Sequence, residues 1–330
     1  MPPKKKNLSP AKQREAEAHA AQAAPATSAK PPAWASWETK VDRIQRRELN
    51  SVLRGWLAHV PEIQPPGSPP REGIAAISAI DELLPRVPKT GDMIEPVTGG
   101  RGVVLHEAFY LAHKAIHVEL LCAESVTNGL HTWAIVDAYQ ASLFALGSIF
   151  CFLGLTIERS DNDFVLIDVW GSESSATNNN IQTERYHFLR FKTLDHFHKW
   201  AILKRLIRTL DSDTPLVRLL REAIDGQDDK QFARHRNTVN YDSSGWLAED
   251  LLAVDHAGPI QQAQSAQEMF DAIYDGTPAG TVYLMCALIE LACQLAMSLH
   301  ASGVLPGEKI LLDRRLPARQ TFTAFDWDQI

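Results

Sequence analysis

DAYQASLFALGSIFCFLGL, residues 137–155, lies in a run from Thr132 to Leu153 whose apolar side chains cover nearly every side of a helix. A helix that is hydrophobic all round is a buried one. The run therefore predicts the central helix of a bundle, with Ala138, Ala141, Ser142, Ala145 and Gly147 small enough to let neighbouring helices approach closely. The stretch Ala138 to Leu155 is interrupted by Gln140, Ser142 and Ser148 and is at the short limit for crossing a bilayer, so it reads as core, with no membrane association.

Helical spacing continues on both sides. His106 to Ser125 carries Phe109, Leu111, Ala112, Ile116, Leu120 and Leu121 inward, and Asn128-Gly129 supplies a stop. Downstream, Phe164 to Trp170 and Tyr186 to Phe191 are short β-like runs around a polar segment, Gly171 to Thr183, which predicts a hairpin or extended insertion over residues 156–192. Leu194 to Leu210 resumes helical spacing. Phe197, Trp200, Ala201, Leu203, Leu206 and Ile207 are placed inward, and Lys199, Lys204, Arg205 and Arg208 outward, making the body's most basic face. Pro215 opens a short helix to Ile224. Gly280 to Leu299 predicts a last, strongly apolar helix with one charge, Glu290.

The flanks differ in character. Residues 1–32 are rich in Ala, Pro and Lys and read as a flexible tail. Residues 33–102 hold an amphipathic helix between Trp34 and Val60, a stiff linker with Pro61, Pro65, Pro66, Pro69 and Pro70, a second helix from Ile74 to Leu84, and a loop from Thr90 to Gly102. The Gly99-Gly100-Arg101-Gly102 cluster lacks the order of a phosphate-binding loop. Residues 103–302 form the predicted bundle, and the extension 303–330 shows no periodic pattern. Residues 1–36 carry a local charge of +4, leaving −11 for the body against the total of −7. Such a body has no general attraction for nucleic acid, so RNA binding requires a local patch or the tail.

Cys122, Cys151, Cys286 and Cys293 lie in apolar helical segments without CxxC spacing, which predicts reduced core residues in a cytoplasmic protein. No secretory leader is read, because no apolar run follows Lys4 to Lys6. His113 and His117 are four apart on a helix, and His187, His196 and His198 form a looser group. HExxH order is missing, so they read as polar-face histidines, with no metal and no cofactor expected.

Chemistry concentrates in QFARHRNTVNYDSSGW, residues 231–246. On a helix Arg236 and Asn240 share a face, with Asn237 and Tyr241 on the adjoining one. Arg234, His235 and Arg236 in a row cannot all be buried cheaply. The segment is therefore either an anion or RNA-phosphate site, with Lys204 and Arg208 extending the patch, or a structural arginine network paired with Asp242, Glu107 or Asp137.

A long helix, the central helix with its Leu-Gly ending, an insertion, a basic helix and then RNTVNY together resemble the HEPN superfamily of helical-bundle proteins in prokaryotic toxin–antitoxin and antiviral defence systems. The resemblance spans about residues 103–302 and rests on the central helix and on Arg236-Asn237, which match the Arg-Asn opening the family's RxxxxH to RxxxxxxH motif. It implies a mainly α-helical HEPN-like bundle that pairs as a homodimer and forms a composite, metal-independent ribonuclease cleft. In such a cleft the Arg stabilises phosphate and the His assists attack by the 2′-hydroxyl. Here Tyr241 occupies the position of that His. The resemblance thus implies an RNA-associated protein, either a weak endoribonuclease or a non-catalytic assembly subunit with a protein partner or antitoxin. Arg236 would hold phosphate, Asn237 would position, and His235 or Tyr241 would transfer protons.

Overall fold

The computed structural model describes residues 49–59, 71–89, 92–170, 185–227, 237, 260–302 and 308–322, all within the unit Asp42–Ile330. Among these residues the chain is mainly helical with one small antiparallel sheet. The predicted N-terminal tail, the Pro-rich linker and the polar loop of the insertion lie outside them.

Helix α1 (Leu49–His59) buries Val52 and Trp56, and α2 (Arg71–Leu83) gives way to a 3-10 turn at Pro85, as the proline requires. The long antiparallel pair α3 (Gly100–Thr127) and α4 (His131–Phe152) forms the centre. Asn128-Gly129 does end α3: Leu130 N–H reaches the Ser125 carbonyl at 2.8 Å and Gly129 N–H the Val126 carbonyl at 3.0 Å. The α4 interior is apolar on all sides, as its sequence predicts, and α8 (Pro278–Ala301) packs across it with nearly every side chain buried. Both have the length and hydropathy of membrane spans, yet 67% and 83% of those windows are buried inside the fold.

The sheet has the order β1-β4-β3-β2 with every pairing antiparallel. Strands β3 (Asp163–Asp168) and β4 (Arg185–Phe191) are the predicted pair, with Leu166 opposite Leu189. Two strands were not legible. Strand β2 (Leu155–Ser160) mixes charge into a short run, and β1 (Met93–Pro96) lies in the segment predicted as loop; an edge strand needs only half a pattern and tolerates Pro96.

Helix α5 (His196–Thr209) is capped by Asp195, and α6 (Pro215–Asp225) starts at Pro215 with the Thr214 hydroxyl accepting from Val217 N–H at 3.3 Å. Helix α7 (Ala266–Tyr274) precedes α8, and α9 (Glu308–Phe322) packs on α3 and α8.

Three expectations need correction. Helix α3 begins at Gly100 rather than His106, because its first turn is fixed by the buried Arg101 and by Tyr186 lying against Gly100, where a Cβ would stand 2.7 Å from the ring. Within the C-terminal extension, read as having no period, Glu308–Phe322 is helical. Its buried stripe is Leu311, Arg315, Ala318 and Phe322, a helical repeat concealed by one arginine. On α5, Phe197 and Ala201 are only half-buried while Ile202 is fully buried, and Lys199 faces a cavity rather than open solvent.

Candidate functional site

Of the motif residues, Arg234, His235, Arg236 and Tyr241 lie outside the described residues, and Asn237 is helical and exposed. The two basic side chains assigned to the same patch are on α5. The Lys204 ammonium donates to the Gln227 carbonyl and the Arg208 guanidinium to the Asp225 carboxylate. They fasten the exit of α6, the last described turn before the motif. Arg208 and Asp225 are about half exposed, so this pair adds little stability. Of the carboxylates considered as motif partners, Asp137 accepts a 3.1 Å hydrogen bond from the Ser125 hydroxyl, and burial raises its pKa against that bond. Glu107 lines a cavity on α3.

Among the described residues, a buried arginine network lies on α9. Arg315, 1% exposed, lies 3.3 Å from both Glu119 of α3 and Glu290 of α8, and Arg319 lies 3.5 Å from Glu290. Its guanidinium also donates to the Cys286 carbonyl at 3.0 Å. Burial pushes Glu119 up to about 7, and neighbouring Glu290 adds to this while Arg315 opposes it. Burial likewise disfavours the charged Arg315, but the two carboxylates outweigh it and its pKa is raised. Both pKa values rise, which disfavours the charged form of Glu119 and favours that of Arg315: Glu119 receives only a share of a guanidinium that Glu290 also holds. The signal in sequence was Glu290, the one carboxylate in an otherwise apolar helix; Glu119 sits among the other charges of α3 and gave none.

A second arginine, Arg101, is fully buried, donating to the Val169 carbonyl at 3.0 and 3.3 Å with its guanidinium 4.0 Å over the Trp170 ring. Trp170 in turn meets Trp56 edge-on at 5.0 Å, and the Trp56 indole donates to the Phe152 carbonyl at 2.9 Å. This ties α1, α3 and the end of β3 together.

The histidines have separate duties. His187 pairs with Asp92 at 2.8 Å, His196 meets the Tyr139 hydroxyl at 3.0 Å, and His198 completes the α5 capping box. His113 accepts from Arg314 at 3.2 Å, and burial, then Arg314, lowers its pKa. Among the described residues no three His, Cys, Asp or Glu side chains gather as a metal site. All four cysteines are buried free thiols, as predicted, and burial raises the pKa of each. None presents a thiolate nucleophile.

A cavity of about 590 Å³ opens between α2, α3, α4, β2 and α5. Its walls are apolar, with Val104, Leu146, Phe150 and Leu155 buried behind them. Glu107 and Glu158 reach into it. Burial raises the pKa of both; Glu107 and Asp81 raise that of Glu158 further, and Lys114 and His106 oppose the shift of Glu107. Burial also lowers the pKa of Lys199.

These features define a mainly α-helical protein with a four-stranded antiparallel sheet, a buried charge network and an amphipathic cavity. Comparison of the chain with protein-family models, with curated proteins and with solved structures found no match in any of the three.

Proposed function

We propose that the chain is a HEPN-like, RNA-associated protein of a prokaryotic defence or toxin–antitoxin system, acting in the cytoplasm as a homodimer. The observation that carries this reading is Asn237, the one described residue of the motif, which is helical and exposed. That is the presentation an RNA-facing Arg-Asn helix needs. Support also comes from α5, whose Lys204 and Arg208 hold the chain where it leads into the motif. In this reading Arg236 binds a phosphate, Asn237 positions it, and Arg234, Lys204 and Arg208 extend the cationic footprint. His235 or Tyr241 moves the proton in a metal-independent cleavage. A tyrosine with its ordinary pKa near 10 is a weak base at neutral pH, so any activity is slow.

The test is incubation of the purified protein with labelled total RNA and tRNA in EDTA, alongside Arg236→Ala and His235→Ala. Cleavage by the parent, lost in Arg236→Ala at unchanged melting temperature, is the expected result. RNA retention without cleavage assigns a binding or assembly subunit. Loss of stability by about 3–5 kcal/mol in Arg236→Ala, with no RNA retained by the parent, assigns a structural arginine network and overturns the proposal.

A second reading, a protein-interaction subunit that never meets RNA, is favoured by large apolar side chains exposed around the α3–α4 turn: Leu121 at 42%, Leu130 at 43% and Trp133 at 41%. It expects a partner or antitoxin on that end of the bundle, and Trp133→Glu to abolish the association in sedimentation experiments.

A further inference from the structure

The cavity beside α4 combines apolar walls with polar side chains left without partners inside the protein. Thr156 donates to Glu158 at 3.1 Å, and His196 is engaged by Tyr139. Among the described residues, the side chains of Asp81, Glu107, Gln140 and Lys199 form no hydrogen bond or ion pair, although all four line the same space. Asp81 and Gln140 are exposed, but Glu107 and Lys199 are half-buried, Glu107 under the field of Lys114 and His106 and without a direct ion pair. Half-buried charges without a direct partner are costly, and a site that retains them is suited to a ligand that supplies one.

The charges are segregated. Glu158 follows the C-terminal end of α4, and Glu107 on α3 acts electrostatically on Cys151, in the last turn of α4. Lys199 is on the first turn of α5, next to His196, which is bonded to Tyr139 near the middle of α4. Gln140 and Cys151, which mark the two ends, are about three helical turns apart, roughly 16 Å at 1.5 Å per residue. Between them the wall is apolar, with Leu143, Phe144, Leu146, Gly147 and Phe150. The acidic end is complemented by a cation, and the apolar wall adjoining it suits one carried on an organic body.

We infer that the cavity binds a small elongated zwitterion, with its ammonium group between Glu107 and Glu158, an apolar body along α4 and a carboxylate at Lys199. None of the lining residues belongs to the Arg236 segment, so the test stands apart from the RNA experiments.

The test is isothermal titration of the full chain with 8-aminooctanoate, octanoate and octylamine. One-to-one binding is expected, tightest for 8-aminooctanoate. Glu107→Gln should weaken 8-aminooctanoate and octylamine about tenfold and leave octanoate unchanged. Lys199→Met should weaken 8-aminooctanoate and octanoate by a similar factor and spare octylamine. Thermal melts confirm that each variant is folded, with Glu158→Gln and Lys199→Gln as replacements where one is not. Absence of saturable binding by any probe, or affinity for 8-aminooctanoate unchanged in the variants of both ends, overturns the inference.

Discussion

Arg315 holds together the buried charges of the described core. Its guanidinium is the shared counter-charge for Glu119 and Glu290, which are 0% and 6% exposed. Replacement by Met keeps the volume but strands both carboxylates, so Arg315→Met is expected to cost about 3–5 kcal/mol in urea denaturation. Glu119 makes the same site sensitive to pH. Its folded pKa, about 7, lies above the ordinary 4.5, so the folded state binds the extra proton between those values. Its contribution to stability is therefore full below about pH 4.5 and is lost as the pH rises through 7. Glu290, Arg315, Arg319 and Cys286 are the groups that face it. Stability should fall by about 3 kcal/mol from this group between pH 4.5 and 7.5, and Glu119→Gln should remove that part of the slope. A pH profile unchanged in Glu119→Gln would show that the carboxyl does not titrate in this range.

At the scale of elements, the joint between α4 and β2 is set by one glycine. Gly154 has φ +82°, and a Cβ there would lie 2.1 Å from the Trp170 ring. The Leu153-Gly154 ending is thus a packing requirement as well as a helix stop: it lets the chain turn under the Trp170 that Arg101 covers. Gly154→Ala combines left-handed backbone cost with displacement of Trp170, and a loss of at least about 2 kcal/mol is expected in the urea midpoint. Trp170 is the probe, since its fluorescence should shift as the ring is displaced.

For the whole molecule, charge limits the reading of function. Outside the basic tail the body is strongly acidic, so the proposed RNA retention would rest on the few cations around Arg236 and on α5. Two to four phosphate contacts to a single strand correspond to a log–log salt slope of about −1.4 to −2.8. Filter binding between 50 and 200 mM salt measures it. A slope near zero would remove phosphate contact from the account, and a much steeper one would point to the Lys4 to Lys6 tail.

The sequence by itself determined the helices whose buried face is apolar. The interior of α4, the stop at Asn128-Gly129, the start of α6 at Pro215 and the pairing of β3 with β4 were legible, because periodicity and turn chemistry act over a few residues. The buried thiols followed in the same way. Of the candidate site, the Arg236 segment was visible as chemistry, and Asn237 is its one described residue. Tertiary structure alone decided the rest. The helix at Glu308–Phe322 owes its place to an arginine that two distant glutamates make buriable; taken alone, that arginine marks an exposed position. Lys199 looks like one of a row of surface lysines and arginines until α2, α3 and β2 close around it. Local pattern reports which face is apolar. Which charges share an interior depends on contacts between positions far apart in the chain, and no period in the sequence records them.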